Sequence, residues 1–235
     1  MSFNPASFDL SSLFRDPAMF DTSDAWARAG FKILRASDNK ITVASHESVP
    51  GYLFKKYVRA GKRDDEDDQL ANYETRLEGA RRLRELIASD GIRHVVVPGK
   101  WLRELPPAFG RRGRPGRILI VERLDLLDND ASEREYRRIT EDVLRDLCVA
   151  LFAFRGLDST AKNVPFTTDG RIALIDTEHW ERHSDRKKSK QRPWLKYLGE
   201  HLSRDRKKLA DEMWKKLSRG DDSGFSDEES TSSSS

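Results

Sequence analysis

The segment from Arg155 to Trp180, RGLDSTAKNVPFTTDGRIALIDTEHW, constrains the fold more than any other stretch of this chain. Thr168, Asp169 and Gly170 are turn residues, and they separate two short apolar runs, Val164 with Phe166 and then Arg171 to Ile175. Such a pattern reads as two short strands joined by a tight turn. A hairpin brings its two ends together, so the polar residues flanking it face the same region. Those residues are Asp158, Asn163 and Asp176, spaced five and thirteen positions apart.

A carboxylate, an amide and a second carboxylate at the end of a strand suit phosphoryl transfer. That chemistry needs an acceptor for the proton of the attacking hydroxyl, and oxygen ligands that hold magnesium against nucleotide phosphates. In this reading Asp158 is the acceptor, Asn163 offers a side-chain oxygen to the metal, and Asp176 bridges metal and phosphates. The plain alternative is that Asp158 opens a turn, Asn163 sits in it, and Asp176 follows a buried strand as a cap or loop residue.

Charged residues make up 35% of the 235-residue chain and hydrophobic ones 37%, enough for one core or two small lobes. The net charge of +3 conceals a segregated distribution: residues 181–220 carry fourteen Lys and Arg against six acids, whereas 221–235 carry five acids and no base. The lone cysteine, Cys148, falls on an apolar helical pattern and has no internal disulfide partner, as suits a core residue in a reducing compartment. The start, MSFNPASFDLSSLFRD, lacks a basic opening followed by an apolar run, and no stretch reaches about eighteen consecutive apolar residues. These features predict a soluble protein that neither spans a membrane nor begins with a secretory signal of the usual type.

Residues 1–28 read as an N-terminal extension that docks by its aromatics or stays loose. Phe31 to Leu34 and Ile41 to Ala44 alternate around Ser37-Asp38-Asn39-Lys40 and predict a hairpin, and GYLFKKYV predicts a third strand. After the acidic run Asp64 to Gln69, a helix is expected from about Leu70 to Ser89, with Leu77, Ala80, Leu83 and Ile87 on one face and Gly91 ending it. Two further strands are expected at Ile92 to Val97 and Arg117 to Leu124, across a Pro-, Gly- and Arg-rich loop. Ile139, Val143, Leu147, Leu151 and Phe154 then mark a helix ahead of Asp158, and Leu195 to Leu217 marks a last one. The tail 220–235, DDSGFSDEESTSSSS after Gly220, has the composition of a disordered segment.

This order, together with the Asp158, Asn163 and Asp176 spacing and Gly170 seven residues after Asn163, resembles the protein kinase-like superfamily. The resemblance covers about Phe31 to Trp180 and is specific only from Asp158 to Glu178. It implies an α+β, bilobal protein kinase-like fold. Residues 29–127 would form an N-lobe with a five-stranded antiparallel sheet plus helix, and 128–219 a shortened, mainly helical C-lobe. The site residues it implies are Lys55 on the third strand for the phosphates, paired with Glu78 or, one helical turn earlier, Glu74. We take Glu78. Backbone groups of Glu122 and Leu124 would meet the adenine edge. The IDTE run is similar to the ID-x-E ending of aminoglycoside- and choline-kinase-like enzymes, which adds Glu178 to Asn163 and Asp176 as a metal ligand.

Several positions depart from the family pattern. The hairpin before Lys55 has no G-x-G-x-x-G loop, Gly156-Leu157 stand where His-Arg precedes the catalytic aspartate, and no Ala-Pro-Glu segment follows. The chain therefore resembles a minimal, atypical bacterial-type kinase. The expected activity is ATP- and magnesium-dependent phosphoryl transfer, with a protein Ser or Thr hydroxyl as acceptor and a protein partner implied. The setting is the cytoplasm, or a host cell if the chain is a secreted effector. Two other readings stand beside it: a catalytically silent pseudokinase, and a basic protein that binds nucleic acid through residues 182–208, where Trp180, Trp194 and Tyr197 adjoin the positive charge.

Overall fold

The structure, a computed structural model, describes residues 10–36, 41–57, 66–110, 115–154, 156–178 and 198–219. It is an α+β protein centred on a five-stranded antiparallel sheet. The strands are β1 (Lys32–Arg35), β2 (Ile41–Ser45), β3 (Tyr52–Tyr57), β5 (Lys100–Glu104) and β6 (Arg117–Glu122), in the order β1-β2-β3-β6-β5. Between β3 and β5 the chain forms a long helix, α2 (Glu66–Ser89), and a two-residue strand, β4 (Val95–Val96).

The two faces of the sheet meet different partners, as period-two alternation requires. Phe54 of β3, Ala44 of β2 and Ile118 and Ile120 of β6 pack under the N-terminal segment, which includes helix α1 (Ser23–Arg28). Residues 10–31 dock through Phe14, Phe20, Trp26 and Phe31: the ring centroids of Phe14 and Phe31 both lie within 5.8 Å of Phe54, and Phe20 lies 5.2 Å from Trp26. Thr22 caps α1 by accepting from the Ala25 amide at 3.1 Å. On the other face Leu53, Leu119, Val121 and Leu102 pack against Tyr73 and Leu77 of α2. Neighbours on β3 therefore divide. Lys56 is buried under the N-terminal layer, its Nζ 5.1 Å from the Phe20 centroid and donating to the Arg117 carbonyl at 3.0 Å, while Lys55 turns to the α2 side.

The remainder is mainly helical: α3 (Asn129–Arg137), α4 (Glu141–Ala153) and α5 (Arg204–Arg219), with strand β7 (Ile172–Ala173) pairing parallel to β4. Its core gathers Leu144, Leu147, Cys148 and Leu151 of α4 with Met213 and Trp214 of α5, and takes in Ala80 and Leu83 from the second half of α2. Asp128 and Thr140 cap α3 and α4. Asp146 of α4 accepts from the amides of Arg93 and His94 and bonds the His94 ring, each at 2.9 Å, which fastens the entry to β4. Burial in this core pushes the Cys148 thiol up to about 12.

Three expectations need correction. The apolar run 92–97 is not a strand of the main sheet; only Val95–Val96 pair, with β7, because Ile92, Val95 and Val97 are drawn into the helical core. The fifth strand of the sheet is instead Lys100–Glu104, inside the segment read as loop. Helix α3, which carried no strong apolar stripe, was not expected: only Ser132 and Tyr136 of it are buried. The basic run 182–192, with Trp180, Trp194 and Tyr197, and the tail 220–235 lie outside the described residues. Arg204, Lys207 and Lys208 are exposed on the first turns of α5. Among the described residues no helix is long and apolar enough to cross a membrane.

Candidate functional site

The hairpin forms as its turn residues predict. Gly170 takes φ +85, the left-handed region that a side chain disfavours, and the Gly170 amide donates to the Thr167 carbonyl at 3.1 Å. The two arms are joined by Thr167 N to Arg171 O at 2.8 Å, Ala173 N to Pro165 O at 2.9 Å and Ile175 N to Asn163 O at 3.2 Å. That last bond ties the loop of Asp158 and Asn163 to the residue preceding Asp176. Helix α3 braces the entering arm: the Tyr136 hydroxyl donates to the Val164 carbonyl, and the Phe166 amide donates to Ser132 Oγ at 3.2 Å. The linker after β6 lies alongside, with Leu127 N bonded to Phe166 O and Thr168 N to Asp125 O.

Asp158 and Asn163 are bonded directly, Asn163 Nδ2 donating to Asp158 Oδ2 at 2.7 Å, while the Thr160 amide reaches Asp158 Oδ1 at 3.2 Å. Both carboxylate oxygens of Asp158 thus have donors that fix its plane, and the residue stays exposed.

Asp176 stands in a cluster of charge assembled from the sheet and α2. Arg76 of α2 donates through Nη1 to Asp176 Oδ1 at 3.1 Å and through Nη2 to Glu178. Its side chain is only 8% exposed. Between the two acids, Thr177 is fully buried; its hydroxyl donates to the Arg76 carbonyl and accepts from Lys100 Nζ, each at 2.7 Å. Lys100, at the start of β5 on the α2 face, donates also to the Ile175 carbonyl at 3.2 Å. Residues 175–177 are therefore clamped between β5 and α2.

Lys55 completes the group. Its half-buried ammonium is pushed down to about 8, first by burial and then by Arg76, against the opposing pull of Asp176 and Glu178. Burial and the nearby Lys55 push Lys100 well below the ordinary lysine range. For Asp176 burial works against ionisation, but Arg76, Lys100 and Lys55 outweigh it and hold the carboxyl below its usual range. Among the described residues the Lys55 ammonium has no hydrogen-bond partner.

The structure thus sets Lys55 within electrostatic reach of Asp176 and Glu178, without an ion pair between them, and links Asp158 and Asn163 to Asp176 through one backbone bond. It does not bring Glu78 to Lys55. Glu78 is held by Arg81 at 2.7 Å and Arg82 at 2.6 Å, which together lower its carboxyl to about 2, and Glu74 is exposed. The helical phase explains this: the buried row of α2 is Gln69, Tyr73, Arg76, Ala80, Leu83, steps of four and three, and both glutamates fall off it. The acids facing Lys55 come from residues 176–178, and α2 contributes a cation. Glu122 is exposed at the end of β6; its amide donates to the Gly99 carbonyl and its carboxylate accepts from the Gly99 amide, both at 2.8 Å. Leu124 lies just beyond, and no described residue bonds to its backbone.

Arg76 and Lys100 belong to this cluster but were not among the residues expected from the sequence; a charge at the helical spacing of the buried row of α2 is the signal Arg76 offers, and Lys100 offers no comparable one.

The donor set can be tested against magnesium. Asp176 and Glu178 are hard oxygen donors of the kind that ion takes. Both carboxylates nevertheless already hold Arg76, and among the described residues no three His, Cys, Asp or Glu side chains gather as a metal-holding group. Arg76 holds one oxygen of each carboxylate, Asp176 Oδ1 and Glu178 Oε2, so a divalent cation at those two oxygens would have to displace it. Two surface hollows, of about 550 Å³ beside Arg15, Arg28 and His46 and about 470 Å³ beside His94, Asp142 and Asp146, lie apart from the cluster.

No protein-family model matches this chain, and none of the curated proteins compared is detectably similar to it.

Proposed function

We propose that this chain is a nucleotide-dependent phosphotransferase on a bilobal, protein kinase-like fold, with the N-terminal sheet and α2 as one lobe and the helical part as a reduced second lobe. The observation that carries the reading is that Lys55, from the middle strand of the sheet, lies within electrostatic reach of Asp176, from the end of the hairpin. These side chains are far apart in sequence, and the Lys55 ammonium makes no hydrogen bond among the described residues. A phosphate chain would supply that partner.

In this reading Lys55 holds the phosphates, and the backbone of Leu124 meets the base edge. Asp158, oriented by Asn163 and the Thr160 amide, takes the proton of the acceptor hydroxyl, most simply a protein Ser or Thr. Developing negative charge on the transferred group would meet Lys55 and Arg76 rather than water.

A second reading, nucleotide binding without turnover, draws on the pairing of Arg76 with both acids, since that pairing takes one oxygen of each carboxylate that a kinase would offer to its metal. Incubation with γ-labelled ATP and a generic protein acceptor separates the two. The first reading expects label transfer that Asp158→Ala abolishes while nucleotide still binds. Nucleotide-dependent stabilisation with no transfer by the wild type would favour the second. Absence of both would dismiss the nucleotide site.

A further inference from the structure

Resting on the nucleotide reading of this cleft, we propose that Arg76 is its resident counter-charge, standing where a divalent cation would otherwise be needed, so that a nucleotide polyphosphate binds here without metal. The first ground is contact. One guanidinium bonds both Asp176 and Glu178, and its side chain is buried to all but 8%. A metal at the same oxygens would have to displace it, and the groups around it offer the displaced charge no welcome: Lys55 and Lys100 share the cluster, with Arg84 near Lys100.

The second ground is the balance of charge. Lys55 and Arg76 stand against Asp176 and Glu178, two cations for two anions, while burial pushes Lys100 well below the ordinary lysine range so that it adds no full third charge. The acids are therefore already offset. A free divalent cation finds no unmet negative charge here, whereas a polyphosphate brings its own and meets the Lys55 ammonium.

The third ground is rigidity. Thr177 joins the Arg76 carbonyl to Lys100 Nζ, so the backbone of α2, the 175–177 segment and β5 are fastened at the point where the guanidinium leaves the helix. Arg76 is thereby anchored at both its main chain and its side chain. Among Lys55, Arg76 and Lys100, Lys55 alone has a side chain with no hydrogen bond among the described residues, which leaves it to meet the incoming phosphates. Arg76 is a positioning residue for the acids and an electrostatic partner for the ligand.

The test is a calorimetric titration of the full chain with ATP, and with inorganic tripolyphosphate as the phosphate chain alone, in EDTA and in millimolar magnesium. The expected result for the wild type is an affinity in EDTA within about threefold of that in magnesium. Arg76→Gln should lose about tenfold or more in EDTA and recover in magnesium, because the guanidinium no longer competes with the ion for Asp176 Oδ1. Wild-type binding that appears only with magnesium would overturn the proposal while leaving the nucleotide reading intact. Binding in neither buffer would overturn both. An Arg76→Gln protein that melts earlier but keeps the wild-type ratio between the two buffers would reduce Arg76 to a structural residue and overturn the proposal. Should that variant fail to fold, the wild-type comparison alone decides.

Discussion

Thr177→Val tests whether the clamp around Asp176 is held by the hydroxyl of Thr177. Valine keeps the shape of the side chain in a fully buried position, so no cavity is opened, and only the two hydrogen bonds are removed. Losing the donor to the Arg76 carbonyl costs about 1 kcal/mol, and losing the acceptor of a buried ammonium about 1.5–3 kcal/mol. Together these make about 2.5–4 kcal/mol, and because Lys100 keeps the Ile175 carbonyl at 3.2 Å the total should fall in the lower half of that span, about 3 kcal/mol. For a chain of this size the melting temperature would fall by about 6–12 °C. Urea denaturation monitored by far-UV circular dichroism measures the loss directly, with Thr177→Ser as control, since serine keeps the hydroxyl and should cost about 1 kcal/mol. A valine variant within about 0.5 kcal/mol of the wild type, or a serine variant less stable than it, would refute the reasoning.

Three further outcomes follow from the layers and charges described. Lys55 is protonated below about pH 8 and neutral above it, so polyphosphate affinity should fall by up to about tenfold per pH unit above that point, and Lys55→Arg should flatten the profile. In the unliganded fold the same depressed pKa leaves the unfolded state with the extra proton between about 8 and 10.5, so this group's contribution to stability rises with pH across that window, which denaturation at stepped pH would read. Phe20→Ala should cost about 3–5 kcal/mol in chemical denaturation, because Phe20 is fully buried between Trp26 and Phe109 and beneath Lys56; a loss under about 1 kcal/mol would mean that the N-terminal layer is not part of the cooperative fold.

What could be read from the sequence was whatever local chemistry dictates. The hairpin was legible because Asp169-Gly170 permits little besides a turn, and Lys55 could be separated from Lys56 because alternation on a strand leaves no other assignment. Strand Lys100–Glu104 was not legible. At the sheet's edge Trp101 to Arg103 are only partly buried and Glu104 is exposed, and KWLRE shows no apolar run. The opposite error arose at 92–97, where an apolar run serves the helical core rather than the sheet. In α2 the helix itself was evident, yet the search for a glutamate opposite Lys55 passed over Arg76. Its partners lie about a hundred residues away, and sequence carries no direct trace of such a pairing. Helix α3 shows the same limit, since its value lies in bonding Val164 and Phe166 rather than in an apolar stripe of its own.

The central claim is that a nucleotide's phosphates are held on the α2 face of the sheet, and one comparison tests it most directly. ATP is titrated into the wild type, Lys55→Met and Lys56→Met, each at a temperature where circular dichroism shows it folded. These lysines are neighbours on one strand and differ in the face they occupy. The account predicts that Lys55→Met weakens binding by about tenfold or more while Lys56→Met leaves it within about threefold of the wild type. Equal losses in the two variants, or binding that survives Lys55→Met, would contradict it.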